Sequence, residues 1–287
     1  MPRLTPTERM MLLLVSDSGM GKTGALASLA RAGYSLRILD FDNGTQILAS
    51  LLKDDPDAMS RVYVEKCTDS FKNVQGRLLP RTPLVAWTKA VTLLSNWKSD
   101  SLGPVSSWDS NSILVIDSLT HCGEAAMRYH QSLNAKLGQH PTLPDWGIVQ
   151  TMIKELLEML KDSEIKCQVC VITHIDWRWR EIRGGKENLQ VLGRELEGGF
   201  PSAPGNKLPE KVGSYFNDAL QVVCTGVGPA MKRKITTVPM VSLGLKSSNP
   251  TGVKREYPIE TGLAQYFYDV LGSNPSGVKP LISEAAE

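Results

Sequence analysis

Eight consecutive residues near the N-terminus, Ser16 to Thr23, read Ser-Asp-Ser-Gly-Met-Gly-Lys-Thr and match G-x-x-x-x-G-K-[ST] everywhere except the first position, where Ser16 stands for Gly. Gly19 and Gly21 free the backbone to wrap closely around an anion with its N–H groups turned inward. The following helix adds the positive end of its dipole. Ser16, Asp17, Ser18, Gly19, Met20, Gly21, Lys22, Thr23 and Gly24 are therefore the candidate phosphate cradle. Lys22 is placed to reach β- and γ-phosphates and the Thr23 hydroxyl to bind Mg²⁺, which makes ATP and Mg²⁺ the expected ligands. A Ser/Gly turn followed by a chance Lys-Thr is the plain alternative. The apolar run Met10–Val15 before the loop and the helical pattern after it favour the cradle.

Three further clusters could complete such a site. Ile113–Ser118 is a short apolar strand ending in a carboxylate, so Asp117 is the candidate for the Mg²⁺ shell. Asp40 and Asp42 close the second strand-like run, two residues apart and hence on one face if the strand continues. Asp42, further out, is the favoured group to polarise an attacking water, while a plain Asp/Asn turn before Gly44 explains the pattern equally well. The strand Val169–Thr173 leads into His174, which can touch a γ-phosphate and report its presence or simply be a surface histidine. Cys167 and Cys170 form a C-x-x-C, but residues three apart on a strand point to opposite faces, so reduced core cysteines are expected rather than a metal pair.

These residues need a scaffold. Short apolar strands at Met10–Val15, Leu36–Phe41, Val62–Val64, Ile113–Ile116 and Val169–Thr173 alternate with helical stretches at Gly24–Ala32, Leu84–Trp97, Gly123–Leu137 and Gly147–Lys161. That alternation predicts an α/β fold with a mainly parallel central sheet flanked by helices. Ala219–Thr225, Lys234–Met240 and Val241–Leu245 predict further strands, closing as an antiparallel hairpin, and Gly262–Leu271 a last helix. A single domain over 1–272 and a tail over 273–287 are expected, with 177–211 as an irregular, functional loop. Lys and Arg total 32 against 30 Asp and Glu, a balance that excludes bulk polycation binding. No apolar stretch approaches the ~20 residues of a membrane span, and no signal-peptide pattern is present. Five cysteines do not make a disulfide scaffold, and a cytoplasmic location is expected.

The phosphate loop, Asp40–Gly44, Ile113–Ser118, Val171–Asp176 and the C-terminal strands follow the order of the RecA-like core ATPases, which the chain resembles. It looks most like the short, core-only RecA-type ATPases of bacteriophages, some of which work with single-strand annealing proteins. The resemblance implies ATP hydrolysis, stimulated by DNA, in homologous recombination by strand annealing or exchange. It maps the catalytic carboxylate onto Asp42, with Asp40, Glu65 and Asp69 as alternatives. It puts His174 at the family's γ-phosphate sensor, usually a Gln, at the head of a DNA-binding loop. Trp177, Arg178, Trp179, Arg180 and Arg183 then become candidate contacts to single-stranded DNA, since guanidinium pairs with phosphate and indole stacks on bases. Lys246, in a basic stretch with Lys232, Arg233, Lys234, Lys254 and Arg255, maps onto a lysine that reaches the neighbouring subunit's γ-phosphate. The family's larger members join subunits through an N-terminal helix and strand, and the run opening at Met10 is expected to leave assembly to DNA, a partner or other surfaces. A switch that acts on a partner protein without touching DNA, and a small phosphotransferase, are the competing functions.

Overall fold

Strands buried on both faces must be apolar at nearly every position, and the central ones here are. In the computed structural model, which describes residues 9–97, 103–184, 190–226, 228–239 and 243–277, every residue of Met11–Val15, Ser112–Asp117 and Gln168–Thr173 is buried. In chain order the elements are β1 (Met11–Val15), α1 (Lys22–Ala25), α2 (Ala27–Arg31), β2 (Ser35–Asp40), α3 (Gln46–Leu51), α4 (Pro56–Ser60), β3 (Val62–Lys66), β4 (Phe71–Val74), β5 (Arg77–Pro80) and α5 (Ala86–Ser95). They continue with β6 (Ser112–Asp117), α6 (Leu119–Leu133), α7 (Leu143–Leu160), β7 (Gln168–Thr173), β8 (Ile175–Gly184), β9 (Gln190–Pro201), α8 (Pro209–Val212), β10 (Asp218–Thr225), β11 (Lys232–Thr236), β12 (Glu256–Pro258) and α9 (Gly262–Leu271).

The main sheet has eight strands in the order β12-β11-β10-β1-β7-β6-β2-β3. From β10 to β3 all pairings are parallel, and β11 and β12 add antiparallel at one edge. The expected fold class, a mostly parallel sheet between helices with C-terminal antiparallel strands, is the one observed. Side chains alternate between two cores. Leu13, Leu114, Ile116, Val169 and Val171 pack against α5, α6 and α7, while Leu12, Leu14, Ile113, Cys170 and Ile172 pack against α1, α2 and α9. Cys167 and Cys170 fall into different cores, as strand periodicity requires, and both are free thiols.

Several elements depart from the sequence expectation for identifiable reasons. Helix α6 starts at Leu119 rather than Gly123, because the Ser118 side chain accepts from the His121 N–H as an N-cap. Helix α7 starts at Leu143, set by a capping box in which Thr142 and Asp145 satisfy each other's backbone N–H. A two-stranded hairpin, β4–β5, turns at Gln75 and Gly76, both at positive φ (51° and 80°), where the sequence pattern shows no strands. The segment expected to be irregular over 177–211 instead opens as a long antiparallel hairpin, β8–β9, with two register shifts. Its alternation of Ile175, Trp177 and Trp179 with Asp176, Arg178 and Arg180 is a strand pattern that the many charges and glycines conceal. The strand expected over Lys234–Met240 is β11, two residues earlier at its start, while 240–242 lie outside the described residues. Residues 243–245 are not in a strand, and the antiparallel edge is completed by β12. Of the expected tail, 278–287 lie outside the described residues. Among the described residues no helix is long and apolar enough to cross a membrane.

Candidate functional site

In a parallel sheet, ligands meet the carboxyl ends of the strands. Here β1, β2, β6 and β7 all deliver loops there. The loop after β1 carries Gly19 and Gly21 at φ +75° and +98°, a region that L side chains rarely adopt, so the turn depends on both glycines. Gly21 is also the N-cap of α1. Lys22 is buried and folded back into the loop. Its Nζ donates to Ser16 O (2.9 Å), Ser16 Oγ (3.0 Å) and Asp17 O (2.9 Å), and lies 3.3 Å from His174 Nδ1. Burial lowers its pKa to about 8, so the ammonium is held where an anion would relieve its desolvation. The cradle, its lysine and the helix start are thus brought together as the sequence predicts.

Asp117 ends β6 beside the same helix start. Its Oδ2 accepts from the Thr23 hydroxyl at 2.7 Å. Its Oδ1 is buried without a hydrogen-bond partner among the described residues. Burial raises this carboxyl to about 6. An orphan carboxylate oxygen next to a hydroxyl is a fitting donor set for a hard cation, so the residues present suit Mg²⁺. A cation there would relieve the burial that raises Asp117.

Asp42 is placed by the backbone. The N–H groups of Phe41 and Asp42 both donate to Asp117 O, at 2.6 and 3.2 Å. The Asp42 carboxylate then meets two imidazoles, His121 Nδ1 and His174 Nε2, the latter at 3.5 Å. Hydrogen bonds from His121 first and His174 second hold Asp42 well below the usual carboxylate range, and Asp42 in return raises His121. His174 is fixed by its own N–H to Thr120 Oγ1 (3.2 Å) and by its carbonyl, which accepts from Ser202 N (2.8 Å).

His121 is the site residue that the sequence does not single out. The available signal is its place in the first turn of a helix that begins right after Asp117, on the strand next to β2. The other carboxylates that the sequence offers have different work. Asp40 is buried and accepts from Thr45 Oγ1 (2.7 Å) and Gly44 N (3.4 Å), forming the turn. Glu65 pairs with Lys89 at 2.7 Å. Asp69 accepts from the Val85 and Ala86 N–H groups at the start of α5 and pairs with Arg128.

The candidate DNA-contacting residues lie on β8. Trp177 is half-buried against Gly199, and its Nε1 donates to Asp17 Oδ1 in the phosphate loop at 2.8 Å. Trp179 is 59% exposed. The three arginines are paired: Arg178 with Glu210, Arg180 with Glu195, and Arg183 with Glu181. Lys246 is exposed, and its backbone bridges Ala219, level with Leu13 and so away from the carboxyl ends of the strands. The structure instead brings a different basic residue to the loop: the Arg233 Cδ lies within van der Waals reach (3.4 Å) of the point where a Gly21 Cβ would stand.

A phosphate cradle at the carboxyl edge of a parallel sheet, with a strand-end carboxylate beside its Thr, defines a P-loop nucleoside-triphosphatase domain. The model of the AAA domain family matches residues 8–197, two thirds of the chain, and the chain belongs to that family of nucleotide-binding ATPase domains. No curated protein sequence matches it. Similar solved structures include a KaiC-like protein of the archaeon Pyrococcus horikoshii OT3, at 11% identity and TM-score 0.40, covering 87% of this chain and 84% of that one. The flagellar accessory protein FlaH of Methanocaldococcus jannaschii is similar at 9% identity and TM-score 0.40, covering 88% and 87%. An ATPase from the type III secretion system of pathogenic bacteria follows at 13% identity and TM-score 0.45, covering 75% of this chain and 52% of that one.

Proposed function

We propose that the protein hydrolyses ATP and works as a nucleotide switch whose output is the β8–β9 hairpin, acting on a partner protein. The observation that carries this reading is a double link between phosphate loop and hairpin root: Trp177 Nε1 donates to Asp17 at 2.8 Å, and Lys22 lies 3.3 Å from His174. A triphosphate draws Lys22 away from Ser16, Asp17 and His174 onto its β- and γ-oxygens. His174, released from Lys22, and Asp42 then face the terminal phosphate and orient the attacking water. Mg²⁺ bound with the nucleotide, held by Thr23 and Asp117, supplies charge neutralisation. Because His174 immediately precedes β8, a shift of its ring is felt at the root of the hairpin.

The hairpin favours a protein target over nucleic acid. Between Ile175 and Pro201 the sequence carries five basic and five acidic residues, and Arg178, Arg180 and Arg183 are matched by carboxylates. Trp179, Ile182, Leu192 and Leu196 remain exposed. A second reading, favoured by the outward Trp179, is that the hairpin stacks on single-stranded DNA in phage-type homologous recombination. In that reading the protein serves strand annealing or exchange in the host cytoplasm beside a single-strand annealing or DNA-binding protein. Lys246, exposed on the flank, would then reach a neighbouring copy's nucleotide in an assembly on DNA. ATP turnover measured with and without single-stranded DNA decides between them. Turnover unchanged by DNA supports the protein-directed switch. Stimulation that Trp179→Ala abolishes, with Lys246→Ala lowering the stimulated rate alone, supports the DNA reading. No turnover under either condition overturns both.

A further inference from the structure

Two imidazoles and a carboxylate converge beside the phosphate loop in a way that water activation alone does not require. One ligand atom each from Asp42, His121 and His174 lies within 4.8 Å of the others, and all three side chains are partly accessible. The rings stand edge to face, with centroids 5.9 Å apart at 82°. Two nitrogens and one carboxylate oxygen, with the remaining positions open, form the donor set of borderline divalent transition ions. A hard ion such as Mg²⁺ prefers oxygen and has its own candidate position at Thr23 and Asp117. The donors are carried by three separate elements, the β2 loop, the first turn of α6 and the end of β7. Backbone bonds fix two of them, Asp42 to Asp117 O and His174 to Thr120, and the N-capped helix start fixes the third, so the triad is preorganised.

We propose that Asp42, His121 and His174 form a binding site for a divalent transition ion of the Zn²⁺ or Co²⁺ class, distinct from the Mg²⁺ position, and that Lys22 gates it. The gating follows from proton inventory. The Lys22 ammonium, whose protons point to Ser16 and Asp17, would repel a ring N–H only 3.3 Å away, which assigns the lone pair to His174 Nδ1 and the proton to Nε2, toward Asp42. An ion at the triad needs the lone pair on Nε2. The ring must then carry its proton on Nδ1, where it collides with the ammonium. The Lys22–His174 contact and the bound ion therefore exclude one another. Whatever removes the ammonium from His174 opens the site, and ATP is such an agent if the function proposed above holds. An ion at the triad also occupies Asp42 and His174, the groups that face the attacking water, so its presence is a brake on turnover.

The test is titration of the purified chain with Co²⁺, read by its visible d–d absorption. Expected are the intense bands of a low-coordinate nitrogen/oxygen site in the unaltered protein. Asp42→Asn, His121→Gln and His174→Gln should each abolish them, and His140→Ala should leave them. Lys22→Met, which keeps the stem and deletes the charge, tightens Co²⁺ binding on the order of tenfold without nucleotide. That variant separates the two claims: tightening in Lys22→Met without any effect of ATP sustains the gate and counts against the nucleotide reading. In the unaltered protein, proton NMR should show Co²⁺ displacing the ring signals of two of the four histidines, a readout that survives if a variant fails to fold. Only the weak spectrum of an octahedral oxygen site, a thiolate charge-transfer band, or bands that persist in both histidine variants would overturn the site. Equal affinity in Lys22→Met would overturn the gate.

Discussion

Asp42 is the residue at which binding and turnover come apart. Its carboxylate faces both imidazoles rather than the cradle backbone. Asp42→Asn is expected to lower the ATP turnover rate by about 10²- to 10⁴-fold while nucleotide affinity stays within a few-fold, checked by steady-state kinetics and calorimetry. Asp40→Asn should do the reverse. Its carboxylate is buried on Thr45 and Gly44, so the cost is expected in stability, about 1–3 kcal/mol by urea unfolding, before it shows in kinetics. Lys22, Thr23 and Asp117 are legible in the sequence because a phosphate cradle is a local motif and a strand-end carboxylate a nearly local one. His121 is hidden, since its partner Asp42 is brought to it only by the adjacency of β2 and β6. Arg233 stays one of six basic residues until the antiparallel register of β10 and β11 sets it over Gly21.

At the scale of elements, the hairpin and α7 give the clearest expectations. Trp177 joins β8 to the phosphate loop through one indole donor. Nucleotide binding that moves Asp17 should change tryptophan emission, and Trp177→Phe, which keeps the packing but not the donor, should remove most of that change in a fluorescence titration. The N-terminus of α7 offers a pH readout away from the site. Asp145 is held below the usual carboxylate range by the Thr142 hydroxyl and N–H, then by His130 and Lys136. A depressed folded pKa means that its stabilisation is complete above the ordinary carboxylate value, ~3.9, and is lost as pH falls through the lower folded value. The melting temperature of Asp145→Asn is therefore expected to lie below that of the unaltered chain at pH 6, and the gap to begin narrowing only below about pH 4, shrinking further as pH falls toward the lower folded value. Both helix caps escape the sequence pattern because helical periodicity locates a helix body better than its ends. The hairpin escapes it because charge and glycine content obscure an alternation of period two.

At the scale of the whole molecule, the kind of sheet is legible, since alternating apolar runs and helices argue for parallel strands covered on both faces, whereas the order of its strands is seen only in the structure. The antiparallel edge is legible in kind and in β11 but not in its last member: β11 pairs with β12, a strand of only three residues, rather than with the strand-like run expected at Val241–Leu245. The two cores make a testable statement about the thiols. Cys67, Cys122, Cys167 and Cys170 are buried and Cys224 is only half-buried. Burial pushes the Cys67 thiol up to about 12 and Cys167 up to about 11. One thiol of five should react with an aromatic disulfide in the native state, and the other four only at the rate of unfolding.

The partnership of β1 with β10 reaches beyond the span that defines the family. The strand that launches the phosphate loop is zipped along one flank by Asp218–Gln221, residues that lie past position 197. A fragment trimmed at the family boundary would bare that flank, and its unpaired amides and carbonyls would recruit strands from other copies. Dissecting the nucleotide site by truncation would thus yield clumps rather than a minimal catalytic unit, and the C-terminal third must travel with the loop whose strand it braces.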